Sequence, residues 1–113
     1  MGVSAMTAIP QGMTSSAVTL TADNTAVATL GVSLLLLGSD DTTAANRTFT
    51  LTASPVIGHT LLIVFTTGTS TTAQLADTSI QKLSAAWEPI QYGTLLLVSD
   101  GTNWIEVTRA ANS

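Results

Sequence analysis

Apolar and polar residues alternate with a period of two over much of the chain from residue 17 onward. Turn-forming residues break the pattern at intervals of roughly 8–12 residues, which is strand-like spacing. Ala17-Val18-Thr19-Leu20-Thr21 alternates and runs into Asp23-Asn24, a turn pair. Arg47–Ala53 is the cleanest case, predicting Phe49, Leu51 and Ala53 on one face and threonines on the other. Two segments do not alternate. Leu34–Leu37 and Thr60–Phe65 are apolar at successive positions, which predicts strands needing cover on both faces. The chain closes with Thr94–Ser99, then Asp100-Gly101, then Asn103–Arg109, a strong hairpin signature. Asp100 and Gly101 are expected to form the turn and Trp104 to anchor the structure beyond it. Strict alternation puts Trp104, Glu106 and Thr108 on one face and Ile105, Val107 and Arg109 on the other.

About seven or eight short strands suggest an all-β fold, a small sandwich or barrel-like module. The β domain is expected over 17–113, with no exact internal repeat. Residues 1–16 show no sustained period and read as an extended N-terminal arm. Its Met6, Ile9, Pro10 and Met13 are the candidate partner-binding residues, methionine being adaptable in apolar contacts.

Composition sharpens this picture. Of 113 residues, 21 are Thr, 15 Ala and 11 Ser, and only 9% are charged. β-branched residues favour strands over helices. Soluble monomers normally carry a mixed ionic coat. The scarcity of charge here implies that much of the surface faces other protein. Three cationic residues, Arg47, Lys82 and Arg109, against a net charge of -4 give no footprint for nucleic acid. No apolar run approaches a membrane span and no export signal is visible. Without cysteine there is neither a disulfide nor a thiolate metal site.

Candidate chemistry is thin. His59 is the single histidine and reads as a strand-end residue. Asp40-Asp41 is the one adjacent carboxylate pair, better explained as a solvated turn than as a calcium loop. Asn46-Arg47-Thr48 matches a glycosylation sequon but reads as a turn entering a strand. Trp87, Tyr92 and Trp104 could stack on a glycan if exposed, though a core or interface role is favoured. No enzyme, cofactor or metal motif is present.

The segment Tyr92–Arg109, with Ser99-Asp100-Gly101-Thr102-Asn103-Trp104-Ile105-Glu106-Val107 at its centre, resembles a hairpin found in virion structural proteins of tailed bacteriophages. Asn46–Leu51, Gly58–Leu61 and Trp87-Glu88-Pro89 look like earlier parts of such a module. The resemblance covers about residues 17–110. It implies an intertwined homotrimer and an assembly role. The expected partners are its own copies and a major capsid protein. The expected place is the capsid surface of a virion made in the host cytoplasm. A trimeric decoration (cement) protein is favoured, since the chain is short and begins with Met1; a fibre or tail-associated module is the alternative, and a carbohydrate-binding module a weaker one. Residues 77–88 admit two periods: Ile80, Leu83 and Trp87 fit a helix capped by Asp77, or short irregular strands. The resemblance tips the balance to strand and loop.

Overall fold

A computed structural model describes residues 14–40, 47–67 and 73–112. Every regular element among them is a strand, and no helix occurs among the described residues. The strands are β1 (Ser15–Leu20), β2 (Thr25–Val27), β3 (Leu34–Ser39), β4 (Arg47–Leu51), β5 (Thr60–Phe65), β6 (Ala73–Leu75), β7 (Gln81–Lys82), β8 (Thr94–Ser99) and β9 (Trp104–Ala110). They form a six-stranded sheet, β1-β3-β5-β8-β9-β7, and a three-stranded sheet, β2-β4-β6.

The chain alternates between the sheets. β1, β3 and β5 pair in parallel in one, while β2, β4 and β6 pair in parallel in the other. Parallel neighbours need a crossover, and here a strand of the opposite sheet supplies it instead of a helix. Three coils result, closed by the antiparallel strands β8 and β9. The coils are unequal: Leu34 pairs with Ser15, 19 residues before it, and with Leu62, 28 residues after it. Loops of different length thus hide the structural repeat from the sequence.

The apolar residues of the two facing sides form one core. Leu35, Leu37, Leu61, Ile63, Phe65, Leu95 and Leu97 of the large sheet meet Val27, Phe49, Leu51, Ala73 and Leu75 of the small one. Trp104 is fully buried, and its indole N–H donates to the Thr52 carbonyl at 2.8 Å, as a buried indole requires. Leu83 and Trp87 join the core without a helix. Trp87 is bridged to Leu75, and the Leu83 N–H donates to the Asp77 carboxylate at 3.0 Å.

Two expectations of strict alternation are corrected. Ala53 is exposed rather than sharing the buried face of Phe49 and Leu51, because β4 ends at Leu51. The last strand carries a bulge: Leu96 pairs with Thr108 but Leu97 pairs with Glu106, so Val107 is the extra residue. The bulge inverts the pattern beyond it. Trp104, Glu106 and Arg109 share the inward side, while Thr108 joins Ile105 outside.

Candidate functional site

The outer face of the six-stranded sheet is the dominant surface feature. Its cross-strand rows follow from the pairing. One row runs Ser15–Leu34–Leu62–Leu96–Thr108 and the next Ala17–Leu36–Val64–Thr94–Ala110. A third holds Thr60, Val98, Ile105 and Lys82. Leu36 and Leu62, in the middle of the sheet, remain 37% exposed, and Ile105 38%. Of the residues in these rows only Lys82, at the rim, is charged. The double-sided apolar runs of β3 and β5 are therefore covered on one face within a single copy and open on the other.

The end of the sandwich that carries the 28–33 and 52–59 loops and the β8–β9 turn is a second apolar surface. Leu30, Val56 and Ile57 stand exposed there, Ile57 at 81%. The loops beneath them are tightly tied. The Thr29 hydroxyl, fully buried, donates to the Thr52 carbonyl at 2.8 Å, and the Thr29 N–H donates to the Thr52 hydroxyl at 3.0 Å. Ser99 Oγ donates to the Ser54 carbonyl at 2.9 Å. The Gly58 N–H donates to the Ser99 carbonyl, also at 2.8 Å.

His59 sits within this network. Its Nε2 lies 2.6 Å from the Val32 carbonyl, which can only accept, so Nε2 carries the proton. Nδ1 then accepts from Ser54 Oγ at 2.8 Å. This serine–histidine pair has no carboxylate behind it, and Ser54 is fully buried. The hydroxyl also accepts from the Val56 N–H at 3.3 Å. The arrangement fixes loop 54–59 against loop 28–33, and the imidazole packs edge-on against Trp104 at 5.0 Å.

The β8–β9 turn is a four-residue loop. Asp100 Oδ1 accepts from the Thr102 and Asn103 N–H groups at 2.9 and 2.7 Å, which lowers the pKa of this exposed carboxyl. Gly101 adopts φ 96°, a conformation costly for any side chain, and a β-carbon there would meet Ile57 Cγ1 at 3.0 Å.

The bulge at Val107 builds an ion pair. Arg109 grips Glu106 through Nε and Nη2, both at 2.8 Å. The remaining guanidinium donors reach the carbonyls of Ala85 and Ala86. Glu106 also accepts from the Ser84 N–H and hydroxyl. Its pKa falls from 4.5 to about 2, chiefly through the Arg109 hydrogen bonds. The pair pins segment 84–86 to the edge of the sheet. A shallow groove lies beside it, but the Arg109 donors are already engaged.

Of the sequence-derived candidates, Met6, Ile9, Pro10 and Met13 lie outside the described residues, as do Asp41 and Asn46. Asp40 is paired with Arg47 at 3.1 Å. No cluster of three metal-ligating side chains occurs among the described residues. The glycan-stacking trio does not assemble: Trp104 and Trp87 are core residues and only Tyr92 is exposed. Alternation marked the strands, but it could not reveal the open face, which depends on which strands lie side by side. No family model, curated protein or solved structure matches this chain.

Proposed function

We propose that this chain is a virion structural protein, a homotrimeric capsid decoration protein that binds and stabilises an assembled shell. One observation carries this reading: a single copy leaves a largely aliphatic sheet face, charged only at its Lys82 rim, partly open to water. Contiguous apolar patches of this kind mark interaction surfaces. The chain's sparse charge and its phage-like hairpin support its own copies as the cover. Three copies around an axis would turn these faces toward each other and leave the threonine-rich small sheets outside.

The shell contact falls to the end bearing Leu30, Val56 and Ile57, whose loops are held rigid by hydrogen bonds. A ligand that binds only the assembled shell stabilises it by mass action. Three linked contacts add avidity. Light scattering should give a mass three times 11.6 kDa. The trimer should co-sediment with purified shells and not with unassembled capsid protein; equal binding to both would remove the decoration role. The parallel coils favour a second reading, a fibre or tail-associated module, because stacked coils are the architecture of elongated solenoids. Copy number per particle separates the two, being hundreds for decoration and few for a fibre.

A further inference from the structure

We infer that Asp100-Gly101 is a latent isoaspartate site: its chemistry favours rearrangement, and the tertiary contacts of the β8–β9 turn hold the reaction back. The inference stands apart from the assembly reading above.

The sequence supplies the reactants. Asp100-Gly101 is the only Asp-Gly step in the chain, and Asn-Gly does not occur. Glycine places no side chain beside its nitrogen, so the Gly101 nitrogen reaches the Asp100 carboxyl carbon more readily than that of a bulkier residue. The step is a cyclisation. The Gly101 nitrogen gives up its proton and bonds to Asp100 Cγ, the carboxyl hydroxyl leaves, and hydroxyl and proton depart as water. The succinimide that forms takes one water back. Opening at the side-chain carbonyl restores aspartate. Opening at the main-chain carbonyl leaves isoaspartate, with the backbone running through Cβ and one methylene longer.

The fold blocks both reactants. Cyclisation needs a neutral carboxyl, because an ionised one has no hydroxyl to lose. Asp100 Oδ1 accepts from the Asn103 and Thr102 N–H groups at 2.7 and 2.9 Å, and these bonds hold the carboxyl in its ionised form. Cyclisation also needs the Gly101 nitrogen to lose its proton. That N–H donates instead to Ser99 Oγ at 3.0 Å. Ser99 is itself fixed: it is buried, and its hydroxyl donates to the Ser54 carbonyl at 2.9 Å, 45 residues away in sequence. The Ser99 N–H and C=O bond His59 and Gly58. The lock is therefore tertiary, and a chain whose 54–59 loop has undocked keeps the Asp-Gly step without it.

The product does not fit the turn. The Asp100 N–H donates to the Asn103 carbonyl at 3.1 Å across the loop. Gly101 backs onto Ile57, where even a β-carbon would lie 3.0 Å from Cγ1. An added methylene in the main chain breaks this closure and pushes against loop 54–59. Rearrangement at Asp100 thus damages the end of the sandwich that bears Val56 and Ile57.

The test incubates the full chain in heavy-oxygen water in mildly acidic buffer, native or unfolded in guanidinium chloride. The chain is then unfolded and digested with trypsin in ordinary water. Cleavage after Lys82 and Arg109 gives a peptide, residues 83–109, in which Asp100 is the only aspartate. Each succinimide cycle adds one heavy oxygen, and isoaspartate elutes as a separate peak. The native chain should take up label roughly tenfold or more slowly than the unfolded chain, since only opened molecules react. Equal rates overturn the inference, as does an unfolded chain that takes up no label. Ser99→Ala should bring the native rate toward the unfolded one with the near-ultraviolet dichroism of Trp104 retained. A folded Ser99→Ala chain as slow as the parent overturns the lock. Should Ser99→Ala fail to fold, Asp100→Asn decides: it keeps the Gly101 bond to Ser99 and loses ammonia through the same ring. Its deamidation should be slowed by folding to a similar degree, and equal rates folded and unfolded overturn the inference.

Discussion

The two sheets share one core but differ on their outer faces. The small sheet turns Ala26, Thr48, Thr50 and Gln74 outward. Thr48 hydrogen-bonds Asn24, and Gln74 donates to Glu88 at 2.9 Å. This is ordinary alternation, apolar inside and hydroxyl or amide outside. The large sheet turns leucines, valines and an isoleucine outward in cross-strand rows. Strand pairing is regular in both apart from the one bulge in β9, so backbone pairing does not explain the difference. The outward side chains do: those of the small sheet are mostly hydroxyl and amide groups, and those of the large sheet are mostly aliphatic.

Four measurements break or sharpen this contrast. The largest effect falls on assembly. Leu62→Asp puts a charge at the centre of the open face and should dissociate the proposed trimer completely, read as mass by light scattering. An unchanged mass would end the comparison. Next is the core that both sheets share. Trp104→Ala should cost about 3–5 kcal/mol in denaturant unfolding, from lost contacts, the cavity and the lost indole hydrogen bond to the Thr52 carbonyl, which keeps only its bond from Thr29. A near-neutral result would deny that the two sheets depend on one centre.

A smaller effect attaches to the bulge-built ion pair. The Glu106 pKa is lowered on folding, to about 2 from 4.5. Its contribution is therefore complete above about pH 4.5 and fades as the pH drops through about 2. Glu106→Gln should cost about 1–2 kcal/mol at pH 7, allowing for screening of the partly exposed Arg109. The variant and the parent should converge in urea titrations near pH 2. The smallest effect is expected at Thr50→Asp on the polar face, within about 0.5 kcal/mol and with the mass unchanged. Dissociation there would mean that both outer faces are buried in the assembly.

Much of the fold was legible in local pattern. The threonine alternation of Arg47–Leu51, the apolar block Thr60–Phe65 and the Asp100-Gly101 signal each correspond to an observed element. What escaped was non-local. Coils of unequal length leave no repeat to read, so parallel pairing of β1, β3 and β5 left no trace in the sequence. The bulge escaped too, because Val107 is as good a strand residue as its neighbours; only the register against Leu96 and Leu97 shows that it is extra. That one residue moved Arg109 to the side of Glu106. The open face was half legible. Leu34–Leu37 announced apolar surface on two sides, but the single-copy structure was needed to show which side the chain itself covers.

The coil topology has a kinetic corollary. Among the described strands, only β8 and β9 are both consecutive and paired; every other pairing skips at least one strand. Each of those pairings must close a long loop before gaining any contact, and chains rich in such closures are slow, folding on millisecond-to-second scales. The C-terminal hairpin is thus the natural nucleus, with the remaining strands docking backward onto it and β1 last. Mutations in the hairpin should slow refolding, whereas mutations in β1 should chiefly hasten unfolding.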